Sequence, residues 1–191
     1  PVTQVNLDML ENAKSQFVNR EDVEEENVEV FMELTLGNLL TEGDIDHNDF
    51  LARIEVINAC GYGVLVSNYF EYFRLSAFLR RHINKPIGLV MGLNNLADIF
   101  KEEYYSKLDG GILEAFGILF KDNVKIYAYP IEQENFERYR KQIGRGDNVE
   151  TIGDEDGLVT IDNLLVAQNL RNLYKYVREN GFLVSIESWK R

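Results

Sequence analysis

The sequence predicts an α/β fold: an open, mostly parallel sheet with helices on both faces, a three-layer sandwich. Three observations lead there. Short runs rich in apolar and β-branched residues recur at 28–36, 63–67, 87–91 and 124–129, as in strands covered on both faces. Stretches of helical periodicity separate them, so strand and helix alternate. Right-handed crossovers then leave a doubly wound sheet; half of an eightfold barrel is the alternative, and four strands cannot close one.

Each element has its own signal. Residues 6–18 put Leu7, Leu10 or Glu11, Lys14 and Phe17 at helical spacing, with Asn6 as the candidate N-cap. Asp46 opens the next helix, with Asp49 three residues on as a short-armed capping box. Phe50, Ile54, Ile57 and Cys60 form its apolar stripe, which makes Cys60 a buried structural thiol, and Gly61 ends it. A Tyr- and Phe-rich helix spans about 69–83 and stops before Asn84-Lys85-Pro86, since the residue before proline avoids the helical region. Helices at 96–108 and 112–120 flank Asp109-Gly110-Gly111, read as a helix–helix turn, with an anion-binding helix start as the alternative. Residues 131–159 form a polar, Gly-containing excursion. The last helix, 162–179, carries Val166, Leu170, Leu173, Tyr174 and Val177 on one stripe, with Gly181 beyond its end. Residues 182–189 add an edge strand or a docked tail. The whole chain reads as one domain. Its start at Pro1, without Met, reads as part of a longer protein whose N-terminal region is then a partner.

Composition narrows the function classes. With 32 acids against 20 bases the net charge is −12, and 45% of the 191 residues are apolar. Ten Tyr and eleven Phe exclude a disordered chain, and a single cysteine excludes a disulfide scaffold. One Cys and two His leave no zinc site without carboxylates, and no metal is expected. Nucleic-acid binding is disfavoured, because phosphate contact needs clustered Lys and Arg. The densest basic run, Arg138-Tyr139-Arg140-Lys141, suits one phosphate group and not a duplex. No apolar run reaches the roughly 20 residues of a membrane span, and no signal peptide opens the chain, so a cytoplasmic location is expected. The acids concentrate at 21–29, 42–49 and 147–156, read as solvated loops, with a metal or basic-partner site as the alternative.

Ligands of open parallel sheets bind outside the C-terminal strand ends. Those ends carry Glu33, Thr35 and Asn38, then Ser67, Asn68 and Tyr69, then Gly92, Asn94 and Asn95, and finally Tyr129. Glu33, Thr35, Ser67, Asn68, Asn94 and Asn95 are the candidate ligand-binding residues. Hydroxyls, amides and one carboxylate hydrogen-bond a ligand but place no His or Lys for proton transfer. Two readings stay open: a polar pocket, or Asn68 and Asn95 as helix caps with Ser67 in a turn. The stretch from Asp44 to Glu55 matches oxygen positions of a calcium loop, but Asp49 stands where Gly is needed, so helix capping is preferred. His47 and His82 read as capping or solvated residues.

Strands one and two resemble those of haloacid-dehalogenase-type phosphotransferases, which makes the expected sandwich Rossmann-like or HAD-like. Ser67 matches the Ser/Thr that ends the family's second strand. Glu33 and Thr35 stand where its two aspartates belong, so the nucleophile is missing and the likeness is one of fold.

Longer strings carry a second resemblance. Leu39-Leu-Thr-Glu-Gly-Asp-Ile-Asp-His-Asn-Asp-Phe-Leu-Ala-Arg53, Val64-Leu-Val-Ser-Asn-Tyr-Phe-Glu-Tyr-Phe-Arg74 and Leu108-Asp-Gly-Gly-Ile-Leu-Glu-Ala-Phe-Gly117 resemble the C-terminal portion of a bacterial family of longer proteins. Its members are labelled nicotinate-nucleotide adenylyltransferase, and sometimes TonB-dependent receptor. The resemblance covers most of 1–130 and the last helix, with 131–157 as an insertion. A TonB-dependent receptor is an outer-membrane barrel, which this α/β pattern cannot form. The adenylyltransferase label implies an H-x-G-H motif, in which neither His47 nor His82 stands. It therefore implies an active site mainly in the N-terminal region and transfers no catalytic residue.

Three functions follow as expectations. The first is binding of a small polar or phosphorylated metabolite or nucleotide at the strand ends, with the cofactor unknown. The second is a structural or dimerisation domain, suggested by Tyr69-Phe70-Glu71-Tyr72-Phe73, which has more rings than one buried face requires. The third is nucleotidyl or phosphoryl transfer.

Overall fold

The computed structural model describes residues 2–41, 44–142, 150–151, 154 and 156–187. Helix α1 (Gln4–Val18) starts two residues earlier than its apolar spacing suggests. Thr3, in extended conformation, is its N-cap and accepts from Asn6 N, while Asn6 Oδ1 accepts from Thr3 N at 2.9 Å. The expected cap, Asn6, instead closes a capping box from inside the helix.

Parallel strands follow in the anticipated places. β1 (Phe31–Thr35) pairs with β2 (Gly63–Ser67), with Thr35 opposite Ser67. β3 (Ile87–Gly92), β4 (Val124–Tyr129) and β5 (Leu183–Ser185) form a second parallel sheet with β4 in the middle. The 182–189 segment thus supplies an edge strand. Helix α2 (His47–Ala59) joins β1 to β2, and α3 (Tyr72–Arg80) joins β2 to β3. Helices α4 (Leu93–Ile99) and α5 (Gly111–Leu119) lie between β3 and β4; α6 (Gln133–Gln142) and α7 (Arg171–Glu179) lie between β4 and β5.

The strands alternate between two cores, as a period of two requires. On one face Ala13, Met9 and Phe17 of α1 pack on Val90, Tyr127, Tyr129 and Val184. On the other, Met91, Ile126, Ala128 and Leu183 meet an aromatic core around Phe100, Phe116 and Tyr174. Helices therefore cover both faces of the three-stranded sheet.

Several elements depart from their sequence signals. The helix expected at 96–108 breaks: α4 ends at Ile99 and a 3-10 turn spans Glu102–Tyr105. Phe100 and Tyr105 are both buried, and Tyr105 Oη donates to Ile99 O at 2.6 Å, so the chain folds back to bury both rings. Asp46 caps α2 as expected, but Asp49 accepts from Arg53 Nε at 2.7 Å, four residues along the helix, instead of reaching back. Only Ile57 of that helix is buried, and Cys60 is exposed, not a core thiol. The aromatic helix begins at Tyr72, with Phe73 in the core and Phe70, ahead of it, 64% exposed. Within 131–159, α6 sends Phe136 into the core and stacks the buried Arg140 on its ring. The 162–179 stripe is buried or half-buried as expected, but Leu164 and Leu165 pair with Thr151 and Glu150, a 3-10 turn follows at Gln168–Leu170, and the α-helix starts only at Arg171.

The largest departure is in the sheet. The parallel strands form a pair and a triple in place of one sheet, so that, among the described residues, β1 and β3 each have an unpaired edge.

Candidate ligand site at the strand ends

Glu33 and Thr35 lie two apart on β1, so their side chains leave the same face of the strand. Ser67 sits beside Thr35 in the register of β2. The local geometry converges on the Glu33 carboxylate. Ser67 Oγ donates to Oε1 at 2.6 Å, and Thr35 Oγ1 lies 3.0 Å from both carboxylate oxygens. The same Ser67 Oγ accepts from Tyr69 N at 3.2 Å, so Ser67 is both the turn residue and a carboxylate partner. Ser67 is buried behind Glu33, which remains exposed.

A second group approaches from the triple-stranded half. Asn95 follows β3 on α4, and Tyr72 opens α3. The Tyr72 hydroxyl is pushed up to about 12, first by burial and then by the negative charge of Glu33 and Asp98 and by Tyr139; an Asn95 hydrogen bond pulls the other way. The charge of Glu33 is thus felt across the gap between the halves. Asp98 is paired with Lys101 at 2.7 Å, and both side chains are largely buried.

Between the halves runs a cleft of about 1460 Å³. Glu33, Thr35, Tyr69, Tyr72 and Asn95 line its C-terminal mouth. Glu21, Asp22, Glu24 and Glu29, expected as a solvated loop, line its other end. Phe70 closes over the first mouth, its ring resting on Gly37, where an added Cβ would collide with the ring.

Of the six candidate residues, the structure gathers Glu33, Thr35 and Ser67 into one hydrogen-bonded group and places Asn95 across the cleft from it. Asn68 is exposed and Asn94 half-buried, with its Oδ1 occluded, and neither lines the cleft. Neither Asn68 nor Asn95 caps a helix: Glu71 precedes α3 and Gly92 precedes α4. Asn38 has no described side chain. Tyr72 was missed because it reads as core of an aromatic helix; only its position at the helix start, beside the strand ends, signals it.

Among the described residues no group of three or more His, Cys, Asp or Glu gathers as for a metal, and no helix is long and apolar enough to cross a membrane. Fold and site together define an α/β protein with parallel strands and a polar group at their C-terminal ends. Compared with known protein families, curated proteins and solved structures, the chain matches none.

Proposed function

We propose that this protein binds a small polar metabolite at the C-terminal ends of β1 and β3. The observation that carries the reading is the Glu33 carboxylate, fixed by Ser67 and Thr35 at the mouth of the cleft. Two hydroxyl donors hold the carboxylate in one orientation, so its remaining lone pairs face the cleft ready-made for donors on a ligand. Tyr72 and Asn95 add a hydroxyl and an amide on the opposite wall, and Tyr69 and Phe70 supply apolar surface. Such a wall favours an amine or a polyhydroxylated head over a phosphate, which the Glu33 charge repels.

Thermal-shift titration with amines, polyols and nucleosides, each beside its phosphorylated form, tests this. The unphosphorylated forms are expected to raise Tm, and Glu33→Gln to abolish the shift. A shift that survives Glu33→Gln, or that is larger for the phosphates, would overturn the reading. Nucleotidyl transfer rests on the family resemblance alone, and His47 and His82 contribute nothing to this wall.

A further inference from the structure

Of the unpaired strand edges, those of β1 and β3 open onto the same cleft. Met32 and Leu34 of β1 line one side, and Gly88 and Val90 of β3 line the other. Unpaired parallel edges with apolar side chains are a standing liability, normally paired, covered or charged. Here the space between them is already covered above and below. Leu75 of α3 lines it from one face of the triple sheet and Phe17 of α1 from the other. Two helices thus flank a position that lacks its strand.

β1 has the composition of that strand. Three of its five residues, Phe31, Met32 and Leu34, are apolar, yet Phe31 is 55% exposed and no residue of β1 is fully buried. Setting β1 beside β3 gives the order β2-β1-β3-β4-β5, all parallel. The β2-to-β3 connection through α3 then crosses over β1, as a doubly wound sheet requires, and the first and third strands flank the switch point.

We propose that the β1–β2 unit closes on the rest of the molecule as a jaw, β1 pairing its free edge with that of β3 to form one five-stranded parallel sheet. Closure brings Glu33 and Thr35 beside Asn95, but it is a property of the strands and does not depend on a ligand. Met32 and Leu34 alternate with Glu33, whose charge reaches Tyr72 on α3, so they face α1 in the closed sheet, as Val90 does.

Trapping by disulfide tests it. In a Cys60→Ser background, Leu34→Cys with Val90→Cys and Met32→Cys with Val90→Cys sample two registers on that face. A disulfide needs Cα atoms within about 7 Å, so it forms only where the edges meet. One register is expected to oxidise to completion within a monomer. Absence of an intramolecular disulfide in both would overturn the proposal, and so would disulfides formed only between molecules, which would assign the edges to a second copy. Hydrogen exchange on the unmodified protein is the independent measurement. The β1 amides that point away from β2 are expected to exchange within about tenfold of those of β3; faster exchange of these amides would overturn the proposal.

Discussion

Tyr129, the last residue of β4, donates its hydroxyl proton to Asp8 Oδ2 of α1 at 2.5 Å, with both side chains buried. That bond ties the first helix to the central strand of the triple sheet and sets the wall that α1 forms along the cleft. Tyr129→Phe keeps the ring and removes the donor. It is expected to lower stability by about 1–3 kcal/mol, the cost of withdrawing a partner from a buried polar group. Urea unfolding measures it, and an unchanged midpoint would show that the bond holds nothing.

Removing the Ser67 hydroxyl acts on the site instead. Ser67→Ala leaves the parallel register intact but deprives Glu33 Oε1 and Tyr69 N of a shared partner. The expected result is a loss of about 1 kcal/mol in stability, with a larger proportional loss of ligand-induced Tm shift. Equal loss of both would mean that Ser67 only supports the turn.

Cys60 ends α2 in the open, and it is the only thiol in the chain. It is expected to react with a thiol reagent in native buffer, to one equivalent, at a rate unchanged by denaturant below the unfolding transition. Reaction only after unfolding would restore the buried thiol that the apolar stripe suggests.

Aromatic residues divide into two populations. Phe116 contacts Phe100, Tyr105 and Phe120 edge-on at centroid distances of 5.1, 6.3 and 5.6 Å, whereas Phe70 is mostly exposed. Phe116→Ala is expected to cost about 3–5 kcal/mol, and Phe70→Ser less than about 0.5 kcal/mol. Denaturant midpoints decide. A large effect at Phe70 in a concentration-dependent unfolding curve would favour the dimerisation reading.

The four strands were legible because strands of a covered sheet leave short, mostly apolar runs, and the Glu33–Ser67 group was legible because polar residues gather toward the ends of such runs. Pairing left no comparable trace. The run 28–36 states that its strand should be covered on both faces, but not which edge meets which, so the split between β2-β1 and β3-β4-β5 could not be read. Phe136 and Arg140 were hidden among charges: α6 buries them with a sequence too polar to announce a core-facing helix. Cys60 failed for the opposite reason. Its spacing fits the apolar stripe of α2, but that helix covers only a two-stranded sheet, which buries Ile57 and little beyond it.

Three phenols link stability to alkaline pH. Burial raises Tyr105 and Tyr174 well above the ordinary phenol value of 10.0, and Tyr72 reaches about 12. Each group's folded value lies above its unfolded one, so its contribution is complete below pH 10 and is lost as pH rises toward the folded value. Over that window the unfolded chain has released protons that the folded chain still holds. Each phenol then lowers the unfolding free energy by up to about 1.4 kcal/mol per pH unit. Tyr105 and Tyr174 donate to the carbonyls of Ile99 and Ile161 at 2.6 Å, bonds that a phenolate cannot make. Guanidinium unfolding between pH 8 and pH 12, followed alongside phenolate absorbance, is expected to show a flat midpoint to about pH 10 and a steep fall beyond. Tyr174→Phe is expected to make the fall shallower while lowering stability at pH 8, and an unchanged slope would remove Tyr174 from the linkage.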